Sequence, residues 1–239
     1  ATTVTFETWM YVNVIQETWT AIIGKPGRNY TLWLNSSRYI HLSYFGPGNT
    51  NINTPVNSIN LNQWHHIAGV IDVPSGVMKI YIDGVQQATG ATTGAATLSG
   101  SPFRMGNSLD GGAGYYLNGK LDEVRVWNIA RTQSEIQSTM NKSITGSEAG
   151  LAGYWTFDNG TALDVSANTN NGTFFGNALT TIPNAPVVSA AIWTNYNLLT
   201  DTLSFNDSLK IPVTSMSTGL LVGQYTSYMT FSSNDPLNS

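Results

Sequence analysis

Two adjacent histidines, His65 and His66, first suggest chemistry, because imidazole groups ligate metals and transfer protons. Both lie in the stretch 64–72, which alternates as a β-strand does. Neighbouring residues of a strand point to opposite faces of a sheet, so the two rings cannot readily share one metal ion. Neither ring has an evident base or orienting partner, and the pattern therefore favours a structural strand over a catalytic pair.

The carboxylates do not form the pair that glycoside hydrolysis requires. Such enzymes hold two carboxyl groups roughly 5–9.5 Å apart, whereas Asp122 and Glu123 are adjacent and face opposite ways on their strand. The chain also has no cysteine, no Gly-x-Ser-x-Gly elbow, no phosphate-binding loop and no His-Glu-x-x-His motif. We expect a protein that is not an enzyme.

Aromatic residues offer a second kind of chemistry, since sugars stack on exposed aromatic faces. Trp33, Tyr44, Tyr115 and Tyr116 lie near predicted loops and are candidate ligand-binding residues, together with Asp110 of the polar, glycine-rich loop 107–112. Aromatic rings also fill the cores of β-sandwiches, so for each of these residues the core is the alternative location.

Composition limits the partners. The net charge of −4 and the absence of any Lys/Arg cluster argue against nucleic acid. No apolar run reaches the roughly 18–20 residues that cross a bilayer, so we expect no direct membrane insertion. The richness in Thr, Ser, Asn and Gly with few charges is typical of extracellular β modules, which predicts a secreted or cell-surface location.

Short alternating stretches separated by turn residues predict the elements that position these side chains. Strands are predicted at 4–14, 20–23, 29–35, 39–45, 64–72, 77–83, 103–106, 120–127, 151–157 and 172–175, with 90–100 a loop or weak edge strand. One helix is predicted at 130–140, where Thr132 and Glu135 form a capping box. Many strands and one short surface helix predict an all-β sandwich.

Domain organisation follows from a proline-rich break. Residues 183–186, Pro-Asn-Ala-Pro, read as a linker between a large domain at 1–182 and a C-terminal β segment at 187–239. About fifty residues are few for a free-standing sandwich, so we expect the C-terminal segment to be part of an incomplete module or to be completed by another chain.

Four motifs resemble the LamG/pentraxin-like branch of the concanavalin A-like jelly-roll superfamily. They are VTFETW at 4–9, WHHIA at 64–68, KIYIDG at 79–84 and GKLDEVRVWN at 119–128. The resemblance implies a two-sheet antiparallel jelly roll. In that family the GYWTFDNG type of segment usually opens the domain, whereas here it follows the helix, at 153–160. We expect 151–175 to return beside the N-terminal strand; the alternative is that it opens a further repeat.

The C-terminal segment more loosely resembles Ig-like modules of large bacterial surface proteins. The motifs that carry the resemblance are GQYTS at 223–227 and FSSNDP at 231–236. This predicts a partial Ig-like module.

The jelly-roll resemblance also implies calcium, which takes six to eight oxygen ligands. Asp122 lies in the matching motif, and Asp164, Asn168 and Asn170 lie in an oxygen-rich loop, so these four are the predicted metal ligands. The alternatives are that Asp122 caps a turn or pairs with Arg125, and that Asp164 begins an Asx-turn. The loop around Asp110 is either a second calcium loop or, as we favour, a long turn.

Two functional hypotheses follow. The first is a non-catalytic module of a secreted or surface adhesin that recognises a glycan or a surface protein, with calcium ordering its loops. The second is a structural spacer or assembly subunit of a surface filament or multidomain adhesin, which contacts neighbouring modules and binds no small ligand.

Overall fold

A computed structural model describes residues 2–25, 27, 29–44, 50–94, 100–107, 115–158, 160–180 and 185–187. Within them the chain forms strands β1 (Thr3–Val12), β2 (Trp19–Lys25), β3 (Asn29–Asn35), β4 (Ile40–Tyr44), β5 (Thr50–Asn53), β6 (Trp64–Asp72), β7 (Val77–Ile82), β8 (Val85–Ala91), β9 (Arg104–Met105), β10 (Gly119–Trp127) and β11 (Leu151–Trp155), and the helix α1 (Gln133–Thr139). The predicted linker at 183–186 and the predicted Ig-like segment at 187–239 lie almost wholly outside the described residues. No helix in the described part of the chain is long and apolar enough to span a membrane.

The strands form two antiparallel sheets. The large sheet has six strands in the order β11-β10-β1-β6-β7-β8, and the small sheet has five in the order β5-β4-β3-β2-β9. This arrangement confirms the predicted all-β sandwich with one short helix. The β1 strand lies inside the large sheet, between β10 and β6.

Alternating side chains of both sheets build the core between them. From β1 the buried residues include Phe6 and Met10, and from the small sheet they include Leu32, Leu34 and Leu42. Full burial of such a side chain stabilises the fold by about 1.5–3 kcal/mol. The period-two pattern therefore determines which face of each strand turns inward.

Hairpin chemistry agrees with the sequence where a turn motif is strong. Asp83 and Gly84 have positive φ angles of 51° and 73°, and they connect β7 to β8 in two residues. A two-residue turn with both φ angles positive matches the twist of its flanking strands.

The sequence did not predict β8 or β5 as regular strands, and the predicted strand at 172–175 is wrong, because these residues form no strand in the structure.

The β11 strand closes one edge of the large sheet. It pairs antiparallel with β10, with Arg125 opposite Tyr154. The segment therefore returns to this sandwich, as we expected, but it lies beside β10 and not beside the N-terminal strand.

The helix α1 begins as its sequence predicts. Thr132 is the N-cap, and its side chain accepts a hydrogen bond from the Glu135 N–H while the Glu135 carboxylate accepts one from the Thr132 N–H. Ile136 packs on Ala68, Val70 and Tyr81, which lie on the outer face of the large sheet. The helix thus covers part of the outer face of the large sheet.

Buried charges lie beneath this helix. The Glu7 carboxylate of β1 accepts a hydrogen bond of 2.6 Å from Arg131, and its other oxygen lies 3.6 Å from His66 Nε2. The Arg131 guanidinium also lies over the Trp127 ring, 4.2 Å from its centroid. Burial alone would raise the pKa of Glu7, but His66, Arg131 and Arg125 outweigh it and hold that pKa below its ordinary value.

A second ion pair continues the network. Arg125 donates to the Glu123 carboxylate at 2.5 Å and to the main-chain oxygens of Thr139 and Lys142, at 3.0 and 2.6 Å. The Tyr154 hydroxyl donates to the same Glu123 oxygen. These bonds fasten the end of α1 and the chain that follows it to β10 of the large sheet. They also link the neighbouring strand β11 to the same Glu123 carboxylate.

Replacing Arg131 with methionine tests the network. The variant leaves the buried Glu7 carboxylate without its arginine, and we expect the free energy of unfolding to fall by about 3–5 kcal/mol, as measured by urea denaturation with tryptophan fluorescence. The matched control is the double variant Glu7→Met with Arg131→Met. We expect it to lose less stability, since neither charge is then buried alone; an equal or larger loss would contradict the account.

Candidate functional site

The outer face of the small sheet presents a mixture of aromatic and polar side chains. Because Leu32, Leu34 and Leu42 turn into the core, alternation turns Thr31, Trp33 and His41 outward. Trp33 lies opposite Ala21 of β2 on one side and opposite His41 of β4 on the other. This register brings residues that are distant in sequence onto one surface.

An aromatic cluster occupies this face; it consists of Trp19, Trp33, Tyr39, His41 and Tyr115. Trp33 packs edge-to-face on Tyr115 at 5.2 Å between ring centroids and on Trp19 at 6.5 Å. Trp19 in turn contacts His41 at 5.1 Å and Tyr39 at 5.9 Å. Edge-to-face packing fixes the relative orientations of these rings.

The cluster combines a buried centre with a more exposed rim. Trp33 is only 6% exposed, whereas the other four cluster residues keep intermediate exposure. Hydrogen-bonding groups lie beside them: His41 Nδ1 is 2.6 Å from the Asn53 amide oxygen, and the Thr31 and Ser43 hydroxyls are 3.0 Å apart. The rim residues can therefore contact a ligand, while the buried Trp33 ring holds the rim side chains in place.

The structure places only some of the predicted ligand-binding residues at the aromatic cluster. Trp33 and Tyr115 meet in the aromatic cluster, and Tyr116 beside them is 62% exposed. Tyr44 is 1% exposed and stacks on Tyr30 within the core at 6.1 Å, so its ring faces are not available to a ligand. Asp110 lies outside the described residues.

Sequence reasoning did not select Trp19 or His41 for the site. The signal that finds them is strand register, since His41 lies directly opposite Trp33 and Trp19 lies two residues before Ala21, the other partner of Trp33. A pairing register is set by tertiary structure as well as by local pattern.

A shallow hollow, too small to admit a water molecule, adjoins the aromatic cluster at the β2–β3 hairpin. Its lining includes Ala21, Gly24, Thr31, Trp33, Lys25 and Asn107. Gly24 is required there, because a Cβ atom would lie 2.4 Å from the main-chain oxygen of Tyr30. Small residues thus bring β2 and β3 close together beside the large Trp33 ring.

No carboxylate lies on the strands of this sheet. The sequences of β2, β3, β4, β5 and β9 contain neither Asp nor Glu. General acid and nucleophile roles in glycoside hydrolysis require two such groups. The chemistry that these strands can supply is stacking, hydrogen bonding and the positive charge of Lys25 and Arg104.

Three of the predicted calcium ligands lie at the free edge of β11. The Asp164 carboxylate accepts hydrogen bonds from the N–H groups of Tyr154, Ser166 and Asn170, at 2.9, 2.9 and 2.7 Å. These bonds outweigh burial and hold the pKa of Asp164 below its ordinary value. The side-chain amides of Asn168 and Asn170 donate to main-chain oxygens of Leu151 and Ala152. The loop therefore satisfies strand groups that would otherwise be open to pairing.

The fourth predicted ligand, Asp122, is buried elsewhere on β10. One of its carboxylate oxygens accepts the Glu123 N–H at 2.9 Å. Burial, followed by the negative charge of Glu123 and then that of Asp158, raises the pKa of Asp122 to about 7.

The described residues contain no group of three or more His, Asp or Glu side chains that could hold a metal ion. A calcium site at any of these acids would need main-chain oxygens or water to complete six to eight ligands. The calcium ligands thus stay a prediction.

The two histidines are separated, as the strand pattern predicts. His65 Nδ1 lies 2.8 Å from Asp83 Oδ2 at the β7–β8 turn. His66 packs edge-to-face on Trp9, 5.4 Å between centroids, on the side that faces Glu7. The two rings therefore serve two different structural contacts.

Asp122 gives a prediction about pH. A carboxyl group whose pKa rises from 3.8 to about 7 on folding binds its proton more tightly in the native state, so its favourable contribution is present below pH 3.8 and is lost as pH rises through 7. Asp122→Asn removes this loss. We expect the variant to gain stability over the wild type between about pH 4 and pH 7, on the order of 4 kcal/mol, and little further above that.

The measurement is urea denaturation of both proteins from pH 4 to pH 8. Comparing variant with wild type cancels the titration of the other groups. A difference that is constant with pH, or that grows in favour of the wild type, would show that Asp122 does not titrate in this way.

Comparison with known proteins places the chain in a family. A family model described as the concanavalin A-like lectin/glucanases superfamily, Laminin_G_3, matches residues 1–137, more than half of the chain. No curated protein sequence matches it.

Several solved structures are similar. A candidate carbohydrate-binding protein from Bacteroides ovatus ATCC 8483 is 24% identical with a TM-score of 0.61, and the match covers 76% of this chain and 56% of that one. The chain thus spans a little over half the length of that protein. The CBM40 of the Ruminococcus gnavus IT-sialidase, bound to alpha2,3 sialyllactose, is 13% identical with a TM-score of 0.47, over 57% of this chain and 81% of that one. A SAP-like pentraxin from Limulus polyphemus is 21% identical with a TM-score of 0.43, over 57% and 68% of the two chains.

The Bacteroides structure shares the fold of this chain. The family model matches this chain over β1 to β10 and most of α1. The chain belongs to the concanavalin A-like lectin/glucanase superfamily.

Proposed function

We propose that this protein is a non-catalytic carbohydrate-binding module whose ligand lies on the outer face of the small sheet. The observation that carries the proposal is the aromatic cluster, which collects Trp19, Trp33 and Tyr115 on one surface beside the amide of Asn53 and the imidazole of His41. Aromatic faces combined with a few oriented polar groups are the usual composition of a small-ligand site.

The distribution of helix and charge supports this choice of face. The helix α1 packs on the large sheet, whereas no helix in the described part of the chain packs on the small sheet. The lack of carboxylates on the small-sheet strands favours binding over hydrolysis. Family membership agrees, and the Bacteroides ovatus protein of the same fold is named for carbohydrate binding. The proposal includes an extracellular location, where such a ligand is met.

Removing one exposed ring tests the proposal. In a glycan array followed by titration calorimetry, we expect the wild type to bind at least one glycan and Trp19→Ala to weaken that binding by tenfold or more, the effect of a central aromatic contact. Tyr11→Ala is the matched control, because Tyr11 packs on Trp64 of the large sheet. No hit on a broad array, or equal losses in both variants, would contradict the proposed site.

Calcium dependence is a separate part of the proposal, with two alternative sites: Asp122 on β10, or the loop of Asp164, Asn168 and Asn170. An ion that binds only the native state stabilises it by about 2.7 kcal/mol at a hundredfold excess over its Kd. We expect calcium to raise the thermal midpoint of EDTA-treated protein, magnesium to raise it less, and one of the two variants Asp122→Asn and Asp164→Asn to respond weakly. An unchanged midpoint in calcium would remove the ion from the account.

A further inference from the structure

A basic end of the aromatic face lies where β2 meets β9; it consists of Lys25 and Arg104 with Asn29 and Asn107. Arg104 pairs with Gly24, and Lys25 pairs with Asn29 across the hairpin. Phe103 and Met105 pack against the core, so alternation turns Arg104 outward. Gly24, Lys25 and Asn107 also line the hollow beside Trp33, which joins the basic end to the aromatic cluster.

Three polar atoms of this basic end are buried without a hydrogen-bond partner: Arg104 Nε, Asn107 Oδ1 and Asn29 Oδ1. Asn29 is only 6% exposed. Native proteins rarely leave buried polar atoms unpaired, because each costs about 1–3 kcal/mol. Arg104 Nε thus has no hydrogen-bond acceptor within the protein.

The Arg104 guanidinium has no acidic partner among the described residues. The ion pairs found there involve Asp83, Glu7 and Glu123, and Arg104 takes part in none of them. The strands of the small sheet carry no acid, although the chain as a whole has a net charge of −4. A guanidinium group binds carboxylates through two parallel hydrogen bonds, which a neutral sugar does not match.

We propose that the site selects glycans that carry a carboxylate, with Arg104 binding that carboxylate. The sugar ring lies toward Tyr115 at the rim of the aromatic cluster. This inference rests on the proposed function and specifies its ligand class. The carboxylate can come from a uronic acid or from a sialic acid, which share the chemistry that Arg104 recognises.

The test uses pairs of glycans that differ in the carboxylate. Oligogalacturonate is compared with its carboxyl-reduced form, and sialyllactose with its carboxyl methyl ester, by titration calorimetry at two salt concentrations after an array of acidic and neutral glycans. We expect array hits to be predominantly carboxylate-bearing and one acidic ligand to bind about tenfold more tightly than its neutral partner. The pair that shows the preference identifies the source of the carboxylate.

Variants assign the preference to Arg104. Arg104→Gln should abolish it and Arg104→Lys should restore part of it, whereas Lys79→Gln, which removes a positive charge from β7 of the large sheet, should keep it. Neutral hits alone, or equal binding of both members of each pair with loss in Trp19→Ala, would overturn the acidic ligand and leave the proposed function intact. A preference that survives in Arg104→Gln would overturn the role of Arg104. Absence of any glycan binding would instead contradict the proposed function itself.

Discussion

The pairing of Glu7 with Arg131 beneath α1 is the interaction on which the rest of the structure depends. Glu7 is fully buried on an inner strand of the large sheet, and a carboxylate in that position is tolerated only with a charged, hydrogen-bonded partner. Arg131, which directly precedes the N-cap Thr132, donates a hydrogen bond to the Glu7 carboxylate. The same guanidinium also donates to the Thr139 hydroxyl and to the main-chain oxygen of Glu135 in α1. The requirement to pair one buried charge therefore fixes the position of the helix.

Because α1 packs on the large sheet, the outer faces of the two sheets differ in what they can contact. The outer face of the large sheet is occupied by α1 and by the Arg125–Glu123 pair, which fastens the chain beyond α1. At the free edge of that sheet, the Asp164 carboxylate accepts a hydrogen bond from the main chain and the Asn168 amide donates one to it. The small sheet keeps an outer face of aromatic and amide groups, which is where a ligand has both ring faces and hydrogen-bonding partners.

The sequence predicts the parts of the fold in which local pattern and burial agree. The β3 and β6 strands have the predicted bounds, because both alternate strongly and are bounded by turns. The N-cap Thr132 is predictable because capping depends on only four residues. The β5 and β8 strands are not, since their sequences TNIN and VQQATGA carry little apolar alternation; these edge strands form by pairing with a neighbour.

The site is less predictable than the fold for a related reason. Trp33 and Tyr115 could be selected as aromatics near loops, but Tyr44 looks equivalent in sequence and lies in the core, because its neighbour on β4, Ser43, is the residue that turns outward. Trp19 and His41 join the cluster only through the register of three strands. For Asp164, an oxygen-rich loop gives the same sequence signal whether it surrounds an ion or caps a strand edge.

The most direct test of the ligand face is the structure of a complex with the first glycan that binds. The account predicts that the sugar lies against the outer face of the small sheet, in contact with Trp19 or Tyr115 and within hydrogen-bonding distance of Asn53 or Arg104. A glycan bound at the Asp164 loop, or on the large sheet beside α1, with the small-sheet face empty, would contradict it.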